Sequence, residues 1–119
     1  ASNTTGGDNT ASGYDSLGDN TTGSFNSGFG YEALARNTTA NNNTAVGYRS
    51  LKTNTTGGSN VAVGTNALTA NTTGSNNIGI GLNALASQTT GDNNTVVGFT
   101  AGHDMSSGAD NVFMGVQAG

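Results

Sequence analysis

The sequence predicts an all-β protein, a parallel β-solenoid or β-roll of seven 17-residue coils. Three observations predict it. The chain has 119 residues, seven times 17, and the same residue types return every 17 positions without insertion or deletion. The composition has 20 Gly, no Pro, Cys or Trp, 32% apolar and 8% charged residues, where ordinary domains hold about 45–50% and 25%. That is too little apolar matter for a broad core, whereas stacked repeats bury narrow apolar columns against their neighbours. Finally, every unit carries a short alternating run of strand formers between a fixed Asn and a fixed Gly.

The domain organisation is one repeat domain over residues 1–119. Its coils start at Asn3, Asn20, Asn37, Asn54, Asn71, Gln88 and Met105, and Ala1-Ser2 completes the last unit in register. Each coil opens on Asn-Thr-Thr followed by Gly6, Gly23, Gly57, Gly74, Gly91 or Gly108, with Ala40 in the third coil. This marks one corner.

Next comes the first invariant column, Asn9, Asn26, Asn43, Asn60, Asn77, Asn94 and Asn111. Stacked Asn side chains pass amide hydrogen bonds from coil to coil and tolerate turn backbone, so this column reads as a structural ladder. The alternating segment follows. Its first column is Thr10, Ser27, Thr44, Val61, Ile78, Thr95 and Val112. Two residues on stand Ser12, Phe29, Val46, Val63, Ile80, Val97 and Met114. Period two puts these columns on one face, and their apolar character predicts that the face is inward.

The second invariant column is Gly13, Gly30, Gly47, Gly64, Gly81, Gly98 and Gly115. Here the backbone needs positive φ or meets another backbone closely. Then follow Tyr14, Tyr31, Tyr48, Thr65, Leu82, Phe99 and Val116, and a small column ending in Ala118. The unit closes on Leu17, Leu34, Leu51, Leu68 and Leu85, replaced by Gly102 and Gly119. The expected core is a file of Val46, Val63, Ile80 and Val97 beside a file of Leu34, Leu51, Leu68 and Leu85. A helix is disfavoured, because Asn, Gly and Thr in each unit would cost several tenths to ~1 kcal/mol apiece. Seven coils stacked ~4.8 Å apart make a rod roughly 34 Å long.

Strings such as NTAVGYRSL (Asn43 to Leu51), NVAVGTNAL (Asn60 to Leu68) and NNIGIGLNAL (Asn76 to Leu85) resemble the head repeats of YadA-like trimeric autotransporter adhesins. They are also similar to the Asn-Thr-Ala-Val-Gly-Tyr-x-Ala-Leu arrays of large bacterial surface proteins and phage tail-fibre-like proteins. The resemblance covers about six columns in all seven units. It implies a left-handed roll and association of three chains around a common axis. The unit here is longer than the family's head unit of near fourteen residues, and the extra residues sit in the Thr-Thr-Gly corner.

Chemistry is sparse. Net charge is −4, and the only basic residues are Arg36, Arg49 and Lys52, so nucleic-acid binding is excluded. No apolar run reaches the ~18 residues of a membrane span, and no membrane insertion is expected. Without Cys and with one His no zinc triad is possible, and no cofactor is implied. His103 beside Asp104 reads as a solvated turn pair. Asp8, Asp92 and Asp110 read as turn formers, since the Gly-Gly-x-Gly-x-Asp pattern of calcium-binding rolls is missing. No constellation of an enzyme is present.

The Asn-Thr-Thr strings, with Asn42-Asn43-Thr44 and Asn93-Asn94-Thr95, match glycosylation sequons. They are read here as needs of the coil. Tyr14, Tyr31 and Tyr48 form core if inward, or an aromatic strip for carbohydrate or a neighbouring subunit if outward. Val96 and Phe113, at a position otherwise small, suggest that the last two coils cover something or meet a partner.

The expected function is that of an extracellular structural and adhesive repeat module, part of a surface fibre, an adhesin head or a tail fibre, at a cell surface or virion. The expected partners are copies of itself, end to end or as a homotrimer, and a host-surface protein or glycan. The alternative is an ice-binding solenoid using the ranked Thr. The chain begins with Ala1 and closes on a whole number of repeats with bare strand edges. This reads as a mature product or excised segment that does not work as a free monomer.

Overall fold

The computed structural model describes residues 2–119. It contains seven three-residue strands: β1 (Thr10–Ser12), β2 (Ser27–Phe29), β3 (Thr44–Val46), β4 (Val61–Val63), β5 (Ile78–Ile80), β6 (Thr95–Val97) and β7 (Val112–Met114). They form one parallel sheet in chain order, and each residue pairs with the residue 17 positions on. The described residues contain no helix. The result is a β-solenoid measuring 39 × 22 × 17 Å.

Tight corners make so short a coil possible. The invariant Gly column holds φ between 122° and 146°, open in practice only to Gly. A Cβ on Gly64 would also stand 2.7 Å from the carbonyl carbon of Gly81 in the next coil. Three further positions per coil are left-handed, as at Arg49, Leu51 and Ser59 with φ of 55°, 48° and 58°. For Leu this conformation costs about 1–2 kcal/mol. Full burial of a Leu side chain contributes about 1.5–3 kcal/mol, which outweighs it. Leu34, Leu51, Leu68 and Leu85 are fully buried and form the spine of the core.

The other expected core file faces the opposite way. Val46 and Ile80 are 38% exposed, and Val63 and Val97 are only half-buried. The residues between the two strand columns, Ala45, Ala62 and Val96, point inward and are fully buried. The reason is phase. Asn43, Asn60, Asn77 and Asn94 have no exposure, so the Asn fixes the inward parity of its strand. At period two, the next inward residue is the small one, which leaves room for Leu. Apolar character misleads here because the β-branched residues lie on the outside of the sheet.

The core changes composition near its C-terminal end. Where Gly102 replaces Leu, Val96 replaces the small inward residue. A Cβ on Gly102 would lie 3.4 Å from both Val96 and Phe113 and 3.1 Å from Leu85. Val96 and Phe113 therefore fill volume vacated by Leu, rather than reaching toward a partner.

Candidate functional site

Two polar ladders run inside the rod. In the invariant Asn column each side chain grips the following coil twice. The Asn43 amide oxygen accepts from the Asn60 backbone N–H at 2.9 Å, and its Nδ2 donates to the Gly57 carbonyl at 2.9 Å. Asn60 does the same to Asn77 and Gly74, and the pattern holds from Asn9 to Asn111. These residues bind their neighbours and leave nothing for a ligand.

The second ladder is the Asn that opens each coil. Asn37 Nδ2 donates to Asn20 Oδ1 at 2.8 Å, Asn54 to Asn37 at 3.0 Å and Asn71 to Asn54 at 2.8 Å. Each also donates to the corner carbonyl three residues on. Sequence reasoning saw these residues as sequons and missed the ladder, although their recurrence at Asn3, Asn20, Asn37, Asn54 and Asn71 was its signal. Asn20, Asn37, Asn54 and Asn71 are buried, and only Asn3, Asn42 and Asn93 keep an exposed sequon amide.

The adjacent Thr pair divides as alternation requires. The first Thr turns its hydroxyl along the rod to the next coil's carbonyl, as Thr38 Oγ1 does to Thr55 at 3.1 Å and Thr55 to Thr72 at 3.0 Å. The second, Thr5, Thr22, Thr39, Thr56, Thr73 and Thr90, is exposed in each of the first six coils.

The outer side of the sheet is the main apolar surface. Eleven of the twelve exposed large apolar side chains, all but Phe25, lie on the two outward strand columns or on the column after the fixed Gly. None of the seven acidic or three basic residues falls in those columns. Ile80, Leu82, Phe99 and Met114 dominate the C-terminal part.

The N-terminal part carries the tyrosines, which point outward. Tyr14 and Tyr31 stack with centroids 5.1 Å apart, and Tyr31 and Tyr48 at 5.3 Å. Arg49 sits 5.0 Å from the Tyr48 ring centroid. Stacking pairs the ring faces along the rod, so the strip shows solvent its edges and hydroxyls. At its rim Glu32 accepts from Arg49 Nε at 2.7 Å and from Lys52 Nζ at 2.9 Å. The hydrogen bond from Lys52, then that from Arg49, holds the Glu32 carboxyl below its ordinary range.

Two of the acids expected as turn formers instead tie neighbouring coils: Asp92 accepts from the Ser75 N–H at 2.7 Å and Asp110 from Asn93 at 3.0 Å. His103 Nδ1 lies 2.7 Å from Asp104 Oδ1 at the exposed C-terminal end. Among the described residues no three His, Cys, Asp or Glu side chains gather to hold a metal, and no helix is long and apolar enough to cross a membrane. Comparisons with protein-family models, curated proteins and solved structures give no match.

Proposed function

We propose that this chain is a structural and adhesive repeat module of an extracellular fibre, adhesin head or tail fibre, at a cell surface or virion, and that it works by self-association. The observation that carries this reading is the uncharged apolar band on the outer side of the sheet. The largest apolar patch of a protein, when rimmed by polar residues, is often an interaction surface. Its content of Tyr, Phe and Met, with Arg and Glu kept to the rim, matches the make-up of interfaces. The band runs through all seven coils, whose rows stack ~4.8 Å apart.

A second copy suits the band because ridges ~4.8 Å apart are matched over several coils only by a surface of equal spacing. End-to-end stacking, three chains around one axis, and a glycan or host protein as final target remain part of the same reading. Sedimentation of the chain at micromolar concentration, with negative-stain images, tests it. Association that Val63→Lys with Ile80→Lys abolishes supports the band. A folded 11.7 kDa monomer overturns it.

A second reading, ice binding, is favoured by one feature. The outward Thr file repeats on a rigid backbone with its hydroxyls unused by the protein. Recrystallisation of ice in the presence of the chain tests it. Inhibition lost on Thr56→Tyr would support it, and unhindered crystal growth would remove it.

A further inference from the structure

We infer that the junction between the fifth and sixth coils is a weak internal seam of the rod, and that residues 88–119 open as one unit there, baring the β5 edge. Three buried side-chain atoms lack a hydrogen-bond partner: Asn71 Oδ1, Gln88 Oε1 and Thr100 Oγ1. All three belong to the two coils that meet at this junction.

The cause lies in the sequence. The opening ladder passes from Asn to Asn up to Asn71, where the sixth coil supplies Gln88 instead. The extra methylene carries the Gln amide past its place. Gln88 Nε2 donates to the Gly108 carbonyl at 3.3 Å, and the Asn71 oxygen receives nothing. An orphaned acceptor at full burial loses its hydration without replacement.

The Leu spine also ends here, with Leu85, although Val96 takes over the apolar packing across the junction, so the defect is in the polar ladder alone. Backbone bonds still cross the junction, as from Ile78 N–H to the Asn94 carbonyl at 2.7 Å, and so does the invariant ladder, where Asn77 Oδ1 accepts from the Asn94 N–H at 3.0 Å. The two coils beyond also remain tied to each other, because the Asn111 N–H donates to Asn94 Oδ1 at 3.1 Å and Phe113 packs on the core. In a solenoid, stability is the sum of coils and nearest-neighbour contacts, so one poor contact divides the array into separately opening blocks. Opening here uncovers the N–H and C=O groups of Ile78–Ile80, a strand edge that a strand of another copy can extend.

Native-state hydrogen exchange of the full chain, read by mass spectrometry, tests the inference. Amides of Ile78, Leu85, Gly98 and Thr100, whose acceptors lie across the junction, should exchange together, with one denaturant dependence, well before those of Thr44 and Val61. Gln88→Asn restores a donor to Asn71 and should slow that exchange by about tenfold. Asn37→Gln should create a second seam, so that residues 3–36 exchange as a block. Exchange that spreads one coil at a time from both ends overturns the inference. An unchanged pattern in both variants does the same.

Discussion

The first five coils and the last two solve one packing problem in opposite ways. In the first five, the residue between the outward strand columns is Ala or Gly, and Leu fills the interior from the closing turn. In the last two, Val96 and Phe113 fill the interior from the strand, and the turn is Gly102 or Gly119. The interior volume is conserved while the column that supplies it changes. The comparison teaches that the coil specifies a filled cross-section rather than a residue at each position. It also explains why Gly is accepted where Leu had stood. That turn is left-handed, at φ 48° for Leu51 and 59° for Gly102, so Gly relieves strain when burial no longer repays it.

The largest effect should come from emptying one cross-section. Leu68→Ala removes a fully buried side chain flanked by coils that cannot collapse, and it should cost about 3 kcal/mol. Denaturant titration measures it, and a loss below about 1 kcal/mol would mean that the core relaxes freely. The swap itself is next. Gly102→Leu alone overfills the sixth coil, and Val96→Ala alone empties it, each costing about 1–3 kcal/mol. The double variant rebuilds the plan of the first five coils and should recover most of the loss. Additive costs in that cycle would show that the two columns do not share one volume.

The ladder in the first five coils should be slightly less sensitive. Asn60→Ala removes one of the two donors to the Gly74 carbonyl and strands the Asn77 N–H, and should cost about 1–3 kcal/mol in thermal melts. A gain is expected at Phe25. This residue holds φ of 60° and is 60% exposed, where the same column elsewhere carries Asn42, Asn76 and Asn93. Phe25→Asn should stabilise by about 1 kcal/mol, since Asn tolerates the left-handed region and Phe does not. An unchanged midpoint would point to a packing role for the ring.

Much of this was legible in the sequence. The 17-residue period gave the stacking distance and the parallel sheet, and the constant Leu spacing gave the spine. The fixed Gly column announced its unusual φ. The phase of the strand was not legible, because apolar residues occupy outward positions and a buried Asn sets the parity. A hydrophobic pattern alone reads that face as core. The opening Asn ladder was obscured for a related reason. A buried Asn bonded to its copies and an exposed Asn at a turn have the same one-letter signature, and only three-dimensional contact separates Asn54 from Asn42. Val96 and Phe113 were legible as anomalies but not as compensation, since their link to Gly102 and Gly119 crosses the coil.

The smallest effect concerns charge, and it is confined to one side of the comparison. Glu32, Arg49 and Lys52 join the second and third coils, and nothing equivalent joins the last two. The folded state holds the Glu32 carboxyl below its ordinary value. A group whose folded pKa is depressed contributes stability that is present above its unfolded pKa and fades as pH falls through the folded one. Acid should therefore weaken the contact between the second and third coils. Glu32→Gln carries no titrating group, so the gap in melting temperature between wild type and variant should close as pH falls from 7 to below the usual carboxylate range. Because Arg49 is half-exposed, the closing should be modest and should shrink further in high salt. A gap that widens on acidification would show that the network stabilises the rod by packing on Tyr48 rather than through the Glu32 charge.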